Sequence, residues 1–566
     1  MKRWTEYLNS ILKKRNFYAL FFIFLFIWSL NGVNDLLSYF LFAKEESRIL
    51  TGIGLSLILT IPGLFLNKSL KPYLLLIYLL ELCPSIAFFI HLILYKCPIL
   101  NENYFIFYET STQEIMEFTY QNINLKLLAF TIPYAAFPFL FFSRIKPVLA
   151  GTRKKIILIA LCTMYLLLLF AFPLAGRLAL LKYNNYYVDA ACSYWYYADE
   201  TNNLRKGAEL RKRNSEYKID LSNQPGFTKT GSPTSSLDST KTNTLTYLII
   251  IGESTGKYHM SIYGYERKTN PLLTSLKNNL YIFNHVISPN AHTIPCLEKM
   301  LTLSNSQHKL APDSGESLIS VFNKAGYNTY WISNQNKLGI NETAISILSG
   351  EARNAYFEKN QLKGIGNPHD DCLLPVIKDV LIKDHRPKII FIHLIGTHQD
   401  YKFRYPKEYA IFNGIPPEHF TGINEAKSNM INEYDNAITY NDYVVSSIFG
   451  LARQYAEYSL ALYLSDHGDE VYEERDFLGH AEGNKSKYMM EIPFILWISD
   501  PFKKANKEYV ANLNNDLNRS YCSADLAHSL IDIAKPNIPK SDSAQFDETR
   551  SIFSLKYKER DEYKYW

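Results

Sequence analysis

The sequence predicts a membrane domain of five transmembrane helices followed by an exported α/β domain with a largely parallel sheet. Three observations support this prediction. Apolar residues are concentrated in the first third of the 566-residue chain, basic residues are distributed unevenly among the loops of that third, and short apolar runs with polar ends recur after residue 244. The predicted division is 1–175 for the membrane domain, 176–243 for a connector and 244–566 for the exported domain.

Five stretches are apolar and long enough to cross a hydrocarbon core of about 30 Å. The first, residues 17–42, contains only one charged residue, Asp35. It is longer than the apolar region of a cleaved secretory signal and lacks a small-residue cleavage site, so we expect it to be retained as a span. The other four lie at 49–66, 73–95, 126–142 and 156–175.

The loop charges predict which side of the membrane each end occupies. Lys and Arg are retained on the cytoplasmic side, and five of them lie within 2–15 and another five within 144–155. The loop at 96–125 is acidic and aromatic, which places it outside, where it can lie in the membrane interface. With five spans, everything after about residue 176 is outside the cytoplasm.

Charge and cysteine content exclude two functional classes. The net charge of +5 comes from 60 basic and 55 acidic residues, a balance that argues against a nucleic-acid partner. The seven cysteines show no CxxC spacing, so a thiolate metal site or a redox motif is not expected.

In the exported domain, four apolar runs each end in polar residues of catalytic type. Their ranges are 246–254, 328–337, 388–398 and 459–470. Ligands of open α/β sheets bind beyond the carboxyl ends of the strands. The sequence therefore predicts that one edge of the sheet collects Glu253, Lys337, His398, Asp466 and His467.

Two carboxylates and one histidine in this group suit a metal. Glu253, Asp466 and His467 together offer three ligands that zinc accepts, which leaves a fourth tetrahedral position for a reacting oxygen. Each carboxylate also has a structural alternative, since an Asp or Glu at the end of a strand can cap the helix that follows. The residue types alone leave both interpretations open.

Three longer segments resemble a known family. IGESTGKYHMSIYGYERKTNPLL (251–273), SDHGDE (465–470) and GHAEGNKSKYMMEIPFILWIS (479–499), together with the five predicted spans, resemble the membrane-bound phosphoethanolamine transferases. These enzymes belong to the alkaline phosphatase and sulfatase superfamily. The resemblance implies an alkaline phosphatase/sulfatase-like fold, a multi-pass protein of the bacterial inner membrane, and a catalytic domain in the periplasm.

The resemblance also implies roles for individual residues. Glu253, Asp466 and His467 correspond to zinc ligands, and Thr293 in SPNAHTIPCLEKML corresponds to the nucleophile, which also contacts the metal. Ser288 is a second candidate for the nucleophile. The group that contacts the phosphate or the substrate comprises His398, His480 and Lys337. One zinc ion is expected, and the two histidines leave room for a second.

The implied reaction moves phosphoethanolamine from phosphatidylethanolamine to lipid A or the lipopolysaccharide core, through a covalent phosphoethanolamine-threonine intermediate. Membrane lipids are therefore expected partners. Three alternatives remain: a phosphoglycerol transferase, a phosphatase or sulfatase-like hydrolase of the same superfamily, and a membrane-tethered scaffold without catalysis. The chain lacks the Cys- or Ser-x-Pro-x-Arg element of sulfatases.

Overall fold

The structure is a computed structural model, and it describes nine continuous stretches of the chain. They are 14–42, 69–97, 122–146, 242–303, 317–335, 344–358, 368–420, 422–534 and 546–560, with scattered positions within 49–66, 115–119 and 202–209. The chain divides into two compact units, Met1–Asp199 and Glu200–Trp566. The domain limits expected at 175 and 243 stay predictions.

In the first unit the described helices are α1 (Lys14–Phe42), α2 (Leu70–Tyr95), α3 (Leu125–Ala136) and α4 (Phe139–Phe142). In the second unit they are α5 (Pro271–Ser275), α6 (Thr293–Met300), α7 (Leu318–Lys324), α8 (Ala344–Ser349), α9 (Leu374–Lys383), α10 (Glu425–Tyr455), α11 (Lys487–Met490), α12 (Asp500–Ala505), α13 (Lys507–Asp516) and α14 (Leu526–Ala534). The strands are β1 (Thr242–Gly252), β2 (Leu280–Ile282), β3 (Val286–Ile287), β4 (Asn328–Ser333), β5 (Asn354–Phe357), β6 (Lys388–His393), β7 (Ala456–Ser465), β8 (Glu470–Val471), β9 (Leu478–Gly479), β10 (Phe494–Ile498) and β11 (Tyr521–Cys522).

Three helical segments of the first unit are long and apolar enough to cross a membrane. They are Tyr18–Phe40, Leu70–Tyr95 and Leu125–Phe142, and they match the first, third and fourth predicted spans. The predicted span at 156–175 lies outside the described residues, and the one at 49–66 is described only at scattered positions. The presence of apolar helices long enough to span a membrane is confirmed, whereas the number five stays a prediction.

Polar side chains join these helices to one another. Asn34 on α1 donates a hydrogen bond to the carbonyl of Ser85 on α2 (3.1 Å), and the Tyr134 hydroxyl on α3 donates to the carbonyl of Leu30 (3.1 Å). The Tyr134 ring also stacks on Phe89, with 4.2 Å between ring centroids. Such bonds stabilise helix pairs in lipid. Packing apolar side chains between helices gains little there, because the surrounding lipid tails are equally apolar.

A seven-stranded sheet forms the centre of the second unit. The strand order is β2-β10-β7-β1-β6-β4-β5. Neighbours from β7 to β5 pair in parallel, whereas β10 pairs antiparallel with both β7 and β2. The sheet is therefore mixed. A fully buried apolar run such as FILWI in β10 has the same pattern in either direction, so the sequence could not reveal its reversal.

Both faces of the sheet are covered. Along β1, Tyr247, Ile249 and Ile251 join the hydrophobic cluster on one face, whereas Leu248 and Ile250 join the cluster on the other. Alternate residues of a strand point to opposite faces, so burial on both sides requires a continuous apolar run. This explains why TYLIIIG shows no alternation of polar and apolar residues.

A buried charge network ties the segment after β1 to helix α10. The His259 ring, which is 1% exposed, lies 2.6 Å from Asp435 through Nδ1 and 3.1 Å from Glu473 through Nε2. The second oxygen of Asp435 accepts hydrogen bonds from Tyr265 and Arg267. Although burial opposes it, the two carboxylates raise the pKa of His259 to about 9. Both ring nitrogens can then donate, and the histidine is charged near neutral pH.

This network predicts a loss of stability in mild alkali. Because the pKa of His259 is higher in the folded chain than the ordinary 6.5, its contribution is complete below about pH 6.5 and disappears as the pH rises through about 9. We expect the free energy of unfolding to fall by up to about 3 kcal/mol across this window.

Thermal unfolding between pH 6 and pH 9.5 checks this prediction. His259→Gln should be less stable at pH 6 and should lack most of the fall, whereas replacement of the exposed His385 with Gln should leave the fall intact. An equal slope in wild type and His259→Gln would contradict the assignment.

Candidate metal centre and active site

The ends of two central strands bring three predicted ligands together. Glu253 follows β1 directly, and Asp466 and His467 follow β7. The two strands pair in parallel with Gly252 opposite Ser465, and the Asp466 amide donates to the Gly252 carbonyl (3.1 Å). The three residues are nearly inaccessible to solvent, with exposures of 1% or less. The structure thus brings three of the five predicted residues together at the carboxyl edge of the sheet.

Thr293, the first residue of α6, completes the group. Its hydroxyl lies 3.1 Å from each Glu253 carboxylate oxygen and 3.4 Å from His467 Nε2. His467 Nε2 in turn lies 3.5 Å from Glu253 Oε1 and 3.4 Å from Asp466 Oδ2. We refer to Glu253, Thr293, Asp466 and His467 as the metal-site residues.

These separations fit a tetrahedral zinc ion. Nitrogen and oxygen ligands that lie about 2.0–2.1 Å from zinc are about 3.3 Å from one another in a regular tetrahedron. The contacts of 3.1–3.5 Å among the metal-site residues are close to this value without any adjustment.

The hydrogen bonds around the site leave one atom of Asp466 and one atom of His467 available for a metal. Asp466 Oδ1 accepts from the amides of Ser254 (3.0 Å) and His467 (2.7 Å), whereas Oδ2 accepts no hydrogen bond within the described part of the chain. His467 Nδ1 lies 3.1 Å from the Gly468 carbonyl, which can only accept. The proton is therefore on Nδ1, and the lone pair of Nε2 faces the site, as a metal-binding histidine requires.

The charges at the site favour a cation. Burial, followed by the nearby Asp466 carboxylate, raises the pKa of Glu253. Burial opposes protonation of His467, but Asp466 and Glu253 outweigh it and raise the pKa of that residue. The buried carboxylates of Glu253 and Asp466 repel each other, and a divalent ion would relieve the repulsion.

The backbone after Glu253 is held in an uncommon conformation. Ser254 has φ of 56°, in the left-handed region that non-glycine residues rarely adopt. Its carbonyl accepts a hydrogen bond from the buried Tyr434 hydroxyl (2.8 Å), which itself accepts from the Gly256 amide (2.9 Å). Gly396 packs so closely on Glu253 that a Cβ there would lie 2.7 Å from the Glu253 nitrogen.

We therefore expect Tyr434→Phe to lower the free energy of unfolding by about 1–3 kcal/mol, because it leaves a buried amide and a buried carbonyl without partners. Tyr463→Phe is the matched control. The Tyr463 hydroxyl is equally buried but has no hydrogen-bond partner among the described residues, so its removal should be neutral or slightly stabilising. Thermal or urea unfolding compares the two, and equal losses would contradict the role given to Tyr434.

The predicted phosphate-binding residues differ in how the structure relates them to the metal-site residues. The His480 ring lies 4.1 Å from the His467 ring, between centroids, and its Nδ1 lies 2.7 Å from Asp469 Oδ1. His398 follows Thr397, whose amide and hydroxyl both bond the Glu253 carbonyl at 3.0 Å. Lys337 lies outside the described residues, so its role stays a prediction.

Ser288, the second nucleophile candidate, does not reach the site. Its hydroxyl is fully buried and donates to the backbone carbonyls of Asn290 (2.8 Å) and Met490 (3.3 Å). The geometry therefore favours Thr293.

Sequence reasoning missed two side chains that contact the site. Gln335 donates a hydrogen bond to Glu253 Oε2 (3.1 Å) from the end of the β4 run, two residues before the predicted Lys337. Asp469 joins His480 to the Tyr401 hydroxyl (2.7 Å) and, with His467 and His480, forms a second group able to hold a metal. The available signal is that Gln335 lies within the predicted run 328–337 and Asp469 lies within SDHGDE (465–470).

Comparisons with known proteins identify the family of the second unit. Residues 246–536 match the sulfatase family. The phosphoethanolamine transferase EptC of Escherichia coli O18:K1:H7 is 27% identical over 96% of this chain and 92% of its own length. The crystal structure of the C-terminal periplasmic domain of E. coli EptC, in complex with zinc, has a TM-score of 0.52 and 32% identity, and the match covers 57% of this chain and 90% of that domain.

A third comparison extends across both units. The integral membrane lipooligosaccharide phosphoethanolamine transferase A (EptA) from Neisseria meningitidis matches 94% of this chain and 97% of its own, with a TM-score of 0.61 and 17% identity. At that identity the match shows a shared fold. The segment that matches the sulfatase family covers half of the chain and includes every metal-site residue, and this chain belongs to the sulfatase family, within the alkaline phosphatase and sulfatase superfamily.

Proposed function

We propose that this chain transfers phosphoethanolamine from phosphatidylethanolamine to lipid A or the lipopolysaccharide core, in two steps through Thr293. The observation that carries the proposal is the position of the Thr293 hydroxyl, 3.1 Å from both Glu253 oxygens and 3.4 Å from His467. A hydroxyl beside residues that can hold a metal is suited to nucleophilic attack on phosphorus. The relatives named phosphoethanolamine transferases support the choice of the transferred group.

In the first step, Thr293 Oγ1 gives its proton to the Glu253 carboxylate, which already accepts its hydrogen bond at 3.1 Å, and forms a bond to phosphorus while the bond from phosphorus to the diacylglycerol oxygen breaks. The leaving oxygen takes up a proton, which His480 is proposed to supply from Nε2 while its Nδ1 is held by Asp469. In the second step an acceptor oxygen gives its proton to His480 and forms a bond to phosphorus, the bond to Thr293 Oγ1 breaks, and Thr293 takes its proton back from Glu253. The amino end of α6 carries a partial positive charge that favours the phosphoryl group.

Glu253, Asp466 and His467 would hold zinc beside Thr293. When bound, the ion would lower the pKa of a neighbouring hydroxyl and offset negative charge on the phosphoryl oxygens. His398 and Lys337 are proposed to contact the same oxygens, each contact lowering the barrier by on the order of 3 kcal/mol, as in oxyanion holes. His467, Asp469 and His480 form another group that could hold a metal, but this group shares His467 with the first.

We further propose five membrane spans, a location in the bacterial inner membrane and a periplasmic catalytic domain. A diacyl lipid does not leave the bilayer readily, and the loop at 96–125 is proposed to lie in the membrane interface. The EptC relative, whose domain is described as periplasmic, supports this orientation.

Mass spectrometry of envelope lipids tests the transfer. Cells that express the wild-type chain should carry phosphoethanolamine on lipid A or core sugars, and cells that express Thr293→Ala should not. A glycerol phosphate mass on these acceptors would instead identify a phosphoglycerol transferase. Release of free phosphoethanolamine without any modified acceptor would identify a hydrolase, and an unchanged envelope with zinc-free protein would favour the scaffold.

A further inference from the structure

The turn that precedes Thr293 is held by a glutamate from a distant part of the chain. Glu482 Oε1 accepts a hydrogen bond from the Asn290 side-chain amide (2.9 Å), and its Oε2 accepts from the Ala291 backbone amide (2.8 Å). The Glu482 side chain is only 7% exposed and also pairs with Lys485. Both oxygens of the Glu482 carboxylate therefore accept hydrogen bonds from the turn that ends at Thr293.

Further hydrogen bonds hold this turn at Asn290. Its Oδ1 accepts from Lys299 (2.6 Å), and its backbone carbonyl accepts from the Ser288 hydroxyl (2.8 Å) and the Cys296 thiol (3.0 Å). With the bond to Glu482, each polar group of the Asn290 side chain has a partner. Asn290 is 5% exposed and Ala291 is fully buried, so little water is available to replace a lost partner.

Glu482 also joins two parts of the active site. It lies two residues after His480, whereas Ala291 lies two residues before Thr293. The His292 and His480 rings are in contact, with 4.9 Å between centroids. The carboxylate therefore bridges the segment that carries the nucleophile and the segment that carries the proposed proton donor.

We propose that Glu482 is a positioning residue that sets the location of Thr293 Oγ1 relative to Glu253 and His480. The proposal rests on the proposed function, in which Thr293 is the nucleophile. Loss of the bridge would let the turn shift, and a displacement of about 1 Å at a reacting atom can reduce the rate about 100-fold. Glu482 acts through the backbone of Ala291 and touches no reacting atom.

The variant Glu482→Gln tests this role with little change in shape. An amide has only one acceptor oxygen, so one of the two donors, Asn290 or Ala291, would face an N–H group. We expect kcat to fall about 100-fold, while KM for the donor stays within about threefold of wild type and the zinc content of the purified full-length chain is unchanged. The assay follows release of acyl-labelled diacylglycerol from fluorescent phosphatidylethanolamine in detergent micelles.

A second substitution provides a rescue. Asn290→Asp in the Glu482→Gln background exchanges donor and acceptor across the bridge, because the introduced carboxylate can accept from the introduced amide and from Lys299. We expect the double variant to recover at least about tenfold in kcat over Glu482→Gln. Asn290→Asp alone places two carboxylates together and should be as impaired as Glu482→Gln.

Glu474→Gln is the matched control. Glu474 also pairs with a lysine, Lys487 (2.6 Å), but it is 55% exposed and makes no hydrogen bond or ion pair with residues 288–293 in the described structure. It should retain wild-type kcat. The proposal is overturned if Glu482→Gln keeps kcat within about threefold of wild type, or if its loss of activity only follows a loss of zinc. If wild type and Glu474→Gln themselves release no diacylglycerol, the proposed function fails instead.

Discussion

Replacing Thr293 with alanine is expected to lower kcat for phosphoethanolamine transfer by at least about 10⁴-fold, the scale seen when a nucleophile is removed. The Thr293 hydroxyl oxygen is the atom that would bond to phosphorus. No other described hydroxyl within 288–293 faces Glu253. Release of labelled diacylglycerol gives the rate, and intact-protein mass spectrometry of the full chain after brief exposure to donor alone detects the covalent adduct. Thr293→Ala should carry no adduct.

Two further variants make this result specific. Thr293→Ser keeps a hydroxyl at the same place, so it should retain measurable turnover and the adduct. Ser288→Ala should also form the adduct, because the Ser288 hydroxyl bonds the Asn290 and Met490 carbonyls instead of the metal-site residues. An adduct in Thr293→Ala that disappears in Ser288→Ala would assign the nucleophile to Ser288.

Replacing Asp466 with asparagine is expected to produce the next largest effect, through loss of the metal. The amide oxygen can still accept from Ser254 and His467, so the loop should keep its shape. An NH₂ group would replace Oδ2, the oxygen that has no hydrogen-bond partner in the described structure. Since loss of an outer-shell partner alone weakens zinc binding about 10–100-fold, we expect loss of a direct ligand to exceed about 100-fold.

Elemental analysis of the purified chain and competition with a chromophoric chelator measure this change. Asp379→Asn, at an exposed aspartate of α9, serves as the control and should bind zinc like wild type. Zinc should also raise the thermal midpoint of wild type and leave that of Asp466→Asn unchanged, because only the folded state presents the complete site. Full zinc binding by Asp466→Asn would remove Asp466 from the ligand set.

The main features of the site could be predicted because strand ends are visible in sequence. Apolar runs that finish at Gly252 and Ser465 mark where β1 and β7 end, and parallel strands place the next residues at one edge. This rule located Glu253, Asp466 and His467 correctly. It requires no knowledge of side-chain contacts, only the period of the apolar residues and the position of the first polar one.

Residues that act through tertiary contacts could not be predicted in this way. Glu482 lies in a short 3₁₀ turn, and nothing local indicates that its carboxylate reaches Ala291, 191 residues earlier. Gln335 illustrates a smaller limit. The sequence shows where β4 ends. The loop backbone decides which of the polar residues beyond that point turns toward Glu253.

The direction of β10 shows the same limit at the level of the fold. Its five residues are all buried, and a strand covered on both faces has no alternation that could distinguish an edge from the centre or one direction from the other. The mixed sheet follows from pairing with β7 and β2, which only the complete fold defines.

The bond from the Ser254 amide to Asp466 joins residues 212 positions apart, and it has a consequence for biogenesis. A nascent chain that ends before residue 466 lacks two of the four metal-site residues, and closing so long a loop carries an entropic cost that only the folded domain offsets. An incomplete chain would therefore present only isolated ligands of low affinity. Under the proposed function, zinc binding would follow completion of the domain and would report that the domain has folded.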